Sequence, residues 1–448
     1  MKKLLSFLLL LASTAAAQDA LFPAQGNSKL DVIRYDLDLH IDPTQNLLQG
    51  VAAVRVRLAS GLKEVDLDLS DRLRVSRVTL AGQDLPFSQG NDKLHIGPLK
   101  SLSREVTLNI TYSGLPHGIQ DPSAPEWDLG WSQSGNSTYV VSEPVGAFTW
   151  FPVNDDLPDK ALYSFKVTVP KPYLAVANGL LTQTLDAGTE TTYVWENKRP
   201  MAAYLATVNV GEFDVVNLKT SSGIPVQNYF AKDGGITITA RYALSLAPKM
   251  IDFFEGLIGP YPFEAAGGVV LNKDLPFALE NQTRPIYGSR IAELDFVVAH
   301  ELAHQWFGDS ITPKTWRDMW LNEGFASYFH ELYITQNEPQ ALEREMQDLY
   351  QDAQKRQDGS LTIETPEELF GEGVYDRGAL ALHVLRQRIG DDAFFRTIRS
   401  YHRRYQHKTA SIEDFLKVAS STSGKAEVVA RWSQEWIFQE ALPPYPGS

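Results

Sequence analysis

The stretch VAHELAHQWFGD, Val298 to Asp309, contains two histidines four residues apart and a glutamate directly after the first. On an α-helix, side chains four residues apart project from one face, about one turn from each other. His300 and His304 can therefore reach one metal ion through imidazole nitrogens, which zinc accepts at about 2.0 to 2.1 Å. Glu301 would lie near that ion without pointing at it, a position typical of a general base rather than of a ligand.

A catalytic zinc site has three protein ligands and one open position. The best third ligand is Glu323 in WLNEGFASYFH, after eighteen intervening residues. That interval leaves room for a turn through DSITPK and a second helix from about Thr315. The pattern predicts one zinc ion per chain, bound by His300, His304 and Glu323. Zinc lowers the pKa of bound water and polarises a carbonyl, so we expect amide hydrolysis with Glu301 as the base.

Two histidines at this spacing also occur on ordinary helices, as a surface pair or a satisfied core pair. Here the segment before them is predicted to continue the helix, and the acid follows downstream in a helix of its own. A structural zinc fits less well, because structural sites usually fill all four positions with protein groups. The predicted apolar stripe that leads into the histidine face is formed by Ile291, Leu294, Val297 and Val298.

The whole chain has a globular composition and an acidic balance. It has 448 residues, 43% of them hydrophobic, and a formal net charge of -14. An acidic surface repels phosphate backbones and anionic lipid, so nucleic acid is not an expected partner. The oligomeric state stays open, with a monomer favoured.

The pattern of apolar and polar residues differs between the first and second parts of the sequence. From Leu30 to about Val216, apolar and polar residues alternate, as in YSFKVTVP at Tyr163 to Pro170, which predicts antiparallel sheets in a sandwich or saddle. From Ile291 onward most segments have helical spacing. We expect an α+β protein with a β domain over residues 26–215 and a mostly helical domain over residues 216–445.

The N-terminal residues MKKLLSFLLLLASTAAAQD place two lysines before an apolar run and then small residues. This layout predicts a secretory signal peptide over residues 1–17, with an uncleaved anchor as the alternative. The apolar run is too short to span a membrane. We therefore expect a secreted or periplasmic protein without stable membrane insertion after cleavage, and the lack of cysteine fits such a protein.

HELAHQWFGD followed by WLNEGFASYF resembles the aminopeptidase N family of gluzincin metallopeptidases. Three further stretches match that family: FPVNDDLPDKALYSF from Phe151, PFALENQT from Pro276, and VYDRGALALHVLRQRIGD from Val374. The resemblance implies a thermolysin-like catalytic domain after the β domain. Most relatives continue into a long helical C-terminal domain, whereas this sequence ends at EALPPYPGS, so we expect a short form whose cleft is more open.

The resemblance also assigns roles. Glu280 corresponds to the glutamate that binds the substrate's free α-amino group, and Glu143 in SEPVGA aligns with a second anchor from the β domain. Tyr375 corresponds to the tyrosine that donates a hydrogen bond to the tetrahedral oxyanion. These matches imply a zinc aminopeptidase that acts on peptides with a free N-terminus.

The match has departures, and they leave alternatives open. Phe277 and Leu279 replace the family's glycine and methionine beside Glu280, and Arg377 replaces a lysine. A bulky Phe277 could reshape the cleft where glycine lets the substrate backbone approach. A zinc endopeptidase and a catalytically silent peptide-binding envelope protein are the competing interpretations.

Overall fold

The computed structural model describes residues 18–59, 62–99, 103–232 and 235–446. The predicted signal peptide at residues 1–17 lies outside the described residues. Within these ranges, strands fill the first half of the chain and helices dominate the second, which confirms the predicted α+β class. None of the helices in the described part combines the length and the apolarity that crossing a bilayer requires.

The first half forms the β domain. Its strands, in chain order, are β1 (Leu30–Asp42), β2 (Leu47–Leu58), β3 (Val65–Asp68), β4 (Leu73–Leu80), β5 (Gln83–Asp84), β6 (Phe87–Gly90), β7 (Lys93–Ile96), β8 (Glu105–Gly114), β9 (Ile119–Gln120), β10 (Asp128–Ser134), β11 (Ser137–Val141), β12 (Ala161–Pro170), β13 (Leu174–Ala177), β14 (Leu180–Asp186), β15 (Glu190–Met201) and β16 (Val208–Gly211). The large sheet has the order β14-β15-β12-β1-β2-β8-β4-β5, and a second has the order β13-β16-β11-β10-β9. A small third sheet joins β3, β7 and β6.

Alternation along β1 explains how the large sheet packs. Tyr35, Leu37, Leu39 and Ile41 are at most 1% exposed, because every second side chain points to the same face. The strand pairing departs from the predicted antiparallel arrangement at one place in the large sheet, since β1 pairs with β12 in parallel. The two strands lie far apart in the sequence, and parallel pairing needs such a long connection.

The second half contains the helices and one further sheet. Its elements are β17 (Phe213–Lys219), β18 (Pro225–Ala231), α1 (Ile238–Ser245), α2 (Ala247–Leu257), β19 (Ala266–Val270), β20 (Ala278–Leu279), β21 (Ile286–Tyr287), α3 (Asp295–Ala303), β22 (Ile311–Pro313), α4 (Trp320–Ile334), α5 (Pro339–Arg356), α6 (Glu372–Ile389), α7 (Asp391–Tyr405), β23 (Lys408–Ala410), α8 (Ile412–Ser423) and α9 (Ala426–Ser433). The sheet has the order β17-β18-β19-β21-β20. The predicted boundary after residue 215 falls inside β17, and the exact bounds of the two domains stay a prediction.

The start of α3 differs from the predicted helix. Residues Ile291–Glu293 form a separate 3-10 turn, and Leu294 has an extended backbone before α3 begins at Asp295. The break changes the helical phase, so Leu294 is 41% exposed while Val298 is buried. The predicted apolar stripe is therefore wrong at Leu294.

Candidate active site

A cavity of about 780 Å³ is lined by residues of both halves of the chain. All seven residues predicted from the sequence line it: Glu143, Glu280, His300, Glu301, His304, Glu323 and Tyr375. Glu143 follows β11 and Glu280 follows β20, whereas the others come from α3, its C-terminal end, α4 and α6. The fold thus brings together groups that are more than two hundred residues apart in the sequence.

Three acceptor atoms converge at one end of the cavity. The Nε2 atoms of His300 and His304 are 2.8 Å apart, and Glu323 Oε2 lies 3.1 Å from the first and 3.3 Å from the second. Atoms bound about 2.0 to 2.1 Å from a tetrahedral zinc lie roughly 3.4 Å from each other. The spacing therefore fits the zinc site that the sequence predicts, with His300, His304 and Glu323 as its ligands.

Partners at the other ring nitrogens of both histidines favour the tautomer that a metal needs. His304 Nδ1 lies 2.6 Å from Asn322 Oδ1 and 3.1 Å from the carbonyl of Phe307, so it carries the hydrogen. His300 Nδ1 contacts His330 Nδ1 at 3.2 Å, and His330 Nε2 in turn lies 3.3 Å from Glu331. A hydrogen bond from His304 Nδ1 to Asn322, and one from His300 Nδ1 to His330, would leave the Nε2 lone pairs of both triad histidines directed at the metal position.

Glu301 occupies the place expected of a base. One of its carboxylate oxygens lies within 4.8 Å of a Glu280 oxygen and a His304 ring nitrogen. Glu301 is 6% exposed and lines the cavity. Burial, with Glu280 and Glu323 adding to it against the opposing His304, raises the pKa of Glu301 well above its usual range. A carboxylate with a raised pKa is a stronger proton acceptor, which suits general-base catalysis.

The helices α4 and α6 place Glu323 and Tyr375 side by side. Glu323 lies in the first turn of α4, and Tyr375 lies in the first turn of α6. The Tyr375 ring stacks on His300 with centroids 5.9 Å apart. Burial, followed by the nearby Glu323, raises the pKa of Tyr375 well above its usual range. Its hydroxyl therefore stays protonated and can donate a hydrogen bond into the cavity.

Two further carboxylates face the cavity beside the triad. Glu280 is 2% exposed, and its Oε1 accepts hydrogen bonds from Tyr204 at 3.2 Å and from Asn322 at 3.0 Å. Glu143 is 6% exposed, and its buried Oε1 has no hydrogen-bond partner among the described residues. Burial, with Glu280 nearby, raises the pKa of Glu143 well above its usual range, and burial also raises the pKa of Glu280. A cation placed between two such carboxylates would be stabilised by both of them.

Three residues that support the site were not found from the sequence. Asn322 connects the triad to the predicted amine anchor, because it accepts a hydrogen bond from His304 and donates one to Glu280. Gln305 Nε2 donates to the carbonyl of Glu280 at 2.9 Å. Tyr204 comes from the β domain and lies in none of the motifs. Asn322 and Gln305 directly adjoin predicted ligands, and that adjacency was the available signal.

The three departures from the family pattern lie in different places. Phe277 and Leu279 line the cavity, so they are positioned to affect substrate choice. Arg377 points away from the cavity, and its guanidinium donates to main-chain carbonyls that include Gly359 at 2.6 Å and Glu440 at 2.9 Å. Arg377 therefore connects α6 to neighbouring segments and does not contact the substrate space.

A zinc metallopeptidase is the class of protein that this fold and this converging triad define. Residues 32–205 match the Peptidase M1 N-terminal domain, and residues 242–436 match the Peptidase family M1 domain. The chain belongs to peptidase family M1, which confirms the resemblance drawn from its motifs.

Several known proteins are similar to this chain. Aminopeptidase M1-B of Oryza sativa subsp. japonica is 29% identical over 92% of this chain and 50% of its own length. Glutamyl aminopeptidase of Homo sapiens is 30% identical over 68% of this chain and 35% of its own. The chain thus spans half or less of the length of these curated relatives.

Solved structures agree over nearly the whole fold. A mutant M1 zinc metallopeptidase from Deinococcus radiodurans is 29% identical, with a TM-score of 0.86 over 96% of this chain and 99% of that chain. The same values hold for that mutant bound to Tyr-Ser-Ala. A mutant two-domain M1 zinc metallopeptidase bound to L-arginine aligns over 96% and 98% with a TM-score of 0.86.

Proposed function

We propose that this protein is a zinc-dependent aminopeptidase that removes N-terminal residues from peptides. The observation that carries the proposal is the pair of buried carboxylates, Glu143 and Glu280, beside the triad. No lysine or arginine is among the described residues that line the cavity. The ammonium group of a substrate would neutralise the charge of both carboxylates and donate charge-assisted hydrogen bonds to them.

The same pair explains why the protein would act at chain ends. An internal peptide nitrogen carries no charge, so it would leave Glu143 and Glu280 buried without a countercharge. Removing one partner from a buried ion pair costs about 3 to 5 kcal/mol. A free α-amino group avoids that cost, and the anchors therefore favour substrates with a free N-terminus.

The other residues supply the chemistry of amide cleavage. His300, His304 and Glu323 would hold zinc, which lowers the pKa of water and polarises a carbonyl when it is bound. Glu301 accepts the proton of the attacking water and then gives it to the leaving amine. The Tyr375 hydroxyl donates a hydrogen bond to the oxyanion of the tetrahedral intermediate.

Matched peptides test this function. We expect the zinc-loaded protein to hydrolyse a short peptide with a free N-terminus and to lose that activity when the same peptide is N-acetylated. The Glu301→Gln protein, purified identically, serves as the blank for contaminating peptidases. Equal cleavage of the free and acetylated peptides would contradict the proposal.

Two competing functions have their own outcomes in this experiment. An endopeptidase would retain activity on the acetylated peptide, and the bulky Phe277 in the cavity is the feature that favours it. A silent peptide-binding protein would carry stoichiometric zinc and hydrolyse no aminoacyl amide. The presence of Glu301 and Tyr375 around one cavity argues against the silent protein, because binding alone has no use for a base and an oxyanion donor.

We also propose that the protein is exported, with cleavage after residue 17. The support is the sequence of the first residues, with its two lysines, apolar run and small residues. Peptides with free N-termini would be its partners outside the cytoplasm, and we propose no nucleic-acid partner because of the acidic balance. N-terminal sequencing of the protein recovered from the medium or periplasm of its host tests both export and the cleavage site.

A further inference from the structure

The cavity contains a carboxylate, Asp121, that neither the zinc triad nor the amine anchors use. Asp121 lines the cavity and is 5% exposed. Its Oδ1 accepts hydrogen bonds from the Ser123 N–H at 2.7 Å and the Ser123 hydroxyl at 2.5 Å, which fix the side chain. No lysine or arginine lies within ion-pair distance of Asp121 in the described ranges. The carboxylate is thus buried without a countercharge.

Two further acids line the cavity outside the triad, the base and the amine anchors, and both of them have a countercharge. Asp376 and Glu372 both pair with Arg356, at 2.6 Å and 3.1 Å. Burial, with a smaller contribution from Glu126, raises the pKa of Asp121 against the hydrogen bonds from Ser123 and Ala124. A cation brought in by a substrate would offset the cost of burying this charge.

The strand order determines how far Asp121 lies from the amine anchor Glu143. Both β9 and β11 are antiparallel to β10, which lies between them, so β9 and β11 run in the same direction. Asp121 directly follows β9, and Glu143 follows β11 by two residues. Both acids therefore leave the same edge of the sheet, separated by two strand spacings or about 10 Å. A lysine or arginine side chain, with its long aliphatic stem, spans a gap of this size between its α-amino group and its charged end.

Aromatic residues form the walls beside Asp121. The Asp121 N–H donates to the carbonyl of Trp127, and the Trp127 ring meets Phe277 edge-on with centroids 6.0 Å apart. Both rings line the cavity, together with Leu129. Apolar and aromatic walls pack against an aliphatic stem, and aromatic faces also attract guanidinium and ammonium groups.

We propose that Asp121 is a specificity-determining residue that selects substrates whose N-terminal residue is arginine or lysine. The α-amino group binds at Glu143 and Glu280, the stem passes Trp127 and Phe277, and the side-chain cation pairs with Asp121. The inference rests on the proposed aminopeptidase function and adds the substrate class to it. Phe277, which departs from the family pattern, thereby becomes part of the side-chain pocket.

Substrates matched in shape test the inference without any variant. Lysyl and norleucyl amides of one fluorophore differ by the ammonium group and share the straight stem. We expect kcat/KM to be higher for the lysyl and arginyl amides by roughly ten- to a hundredfold, the size of one charge-assisted hydrogen bond. Equal values for lysyl and norleucyl amides, or a preference for glutamyl amide, would overturn the inference.

A pair of variants assigns the effect to Asp121. Asp121→Asn keeps an oxygen that accepts from Ser123, so the fold is retained while the charge is removed. We expect it to remove the preference for lysyl over norleucyl amide and to change hydrolysis of norleucyl amide less than twofold. Asp128→Asn is the control, because Asp128 is an exposed acid on the neighbouring strand β10 that does not line this cavity.

The outcomes separate this inference from the function on which it rests. A zinc-loaded protein that hydrolyses no aminoacyl amide overturns both. A protein that hydrolyses norleucyl amide readily but keeps its lysyl preference in Asp121→Asn overturns the role of Asp121 alone. A uniform loss of activity on all substrates in Asp121→Asn would also overturn it, since that result indicates a structural role.

Discussion

Gly324 and Gly378 are in direct contact where helices α4 and α6 cross. A Cβ atom on Gly378 would lie 2.6 Å from the Cα of Gly324, and one on Gly324 would lie 2.8 Å from the Cα of Gly378. The close crossing has a consequence for the site, because Glu323 directly precedes Gly324 and Tyr375 lies about one turn before Gly378. One backbone contact thus positions a residue of the triad and the proposed oxyanion donor.

Gly378→Ala is expected to destabilise the protein and to impair catalysis. Alanine in a helix interior stabilises the folded protein by about 0.5 to 1 kcal/mol relative to glycine. Overpacking lowers the free energy of unfolding by about 1 to 3 kcal/mol. The overpacking dominates, because the clash is with backbone and no rotamer relieves it. Chemical denaturation should show a lower free energy of unfolding, and kcat should fall as Tyr375 moves away from Glu323.

Gly256→Ala is the control for that substitution. Gly256 lies in α2, and a Cβ atom there would meet nothing within 4 Å. The same change should therefore raise the free energy of unfolding by about 0.5 to 1 kcal/mol and leave kcat unchanged. If Gly378→Ala also stabilised the protein, the close crossing would not be the feature that positions the two helices.

We expect Asn322 to couple metal binding to substrate binding, because it contacts both His304 and Glu280, and two substitutions separate these roles. Asn322→Ala removes the acceptor of His304 and the donor to Glu280, so we expect zinc affinity to fall about 10- to 100-fold and KM to rise. Asn322→Asp keeps an acceptor for His304 but places a second charge beside Glu280. It should retain zinc and mainly raise KM. Zinc titration and steady-state kinetics measure the two effects, and unchanged zinc affinity in Asn322→Ala would contradict the coupling.

The residues of the site could be predicted from the sequence because they follow short, regular spacings. His300, Glu301 and His304 share one helical turn, and the interval to Glu323 has the length that a turn and a helix need. The prediction for Leu294 failed because a 3-10 turn shifts the helical phase, and periodicity does not show where a helix begins.

Contacts between elements that lie far apart in the sequence could not be predicted in this way. Tyr204 reaches Glu280 from the other half of the chain, and β1 pairs in parallel with β12 across more than a hundred residues. No spacing rule connects such partners. The position of Arg377 could have been predicted, because residues two apart on a helix point in different directions, and Tyr375 already faces the cavity.

Glu301 and Glu323 are expected to respond differently to removal of their carboxylates. Glu301→Gln should bind zinc as the native protein does while kcat falls about 10²- to 10⁴-fold, the contribution of a general base. Glu323→Ala should lose zinc, because one atom of the converging triad is removed. Metal analysis after dialysis distinguishes the two variants. Zinc loss in Glu301→Gln would show that Glu301 is a ligand rather than the base.

Tyr375→Phe should lower kcat by about 10²- to 10³-fold, as expected for the loss of one oxyanion donor. KM should change little, because the hydroxyl binds a charge that develops only in the transition state. The phenyl ring can still stack on His300, so zinc content should be unchanged. Parallel measurement of kcat, KM and zinc content checks the assignment, and a rise in KM with unchanged kcat would contradict it.

Arg377→Lys is expected to weaken the fold while leaving the chemistry intact. The Arg377 guanidinium donates to the carbonyls of Trp436, Asp358, Gly359 and Glu440 from a fully buried position. Lysine has a compact ammonium with three donors and no planar fork, so some of these buried carbonyls would lose their partner. Each buried group left unsatisfied costs about 1 to 3 kcal/mol, and thermal unfolding should show a midpoint several degrees lower.

Arg388→Lys on the same helix is the control. Arg388 makes a partly exposed ion pair with Glu435 at 2.6 Å, and such pairs contribute about 0 to 1 kcal/mol. The thermal unfolding midpoint of Arg388→Lys should therefore stay close to that of the native protein. Below the unfolding transition, kcat/KM of Arg377→Lys should match the native value, because Arg377 does not line the cavity. A native midpoint combined with altered substrate preference would instead place Arg377 in the substrate site.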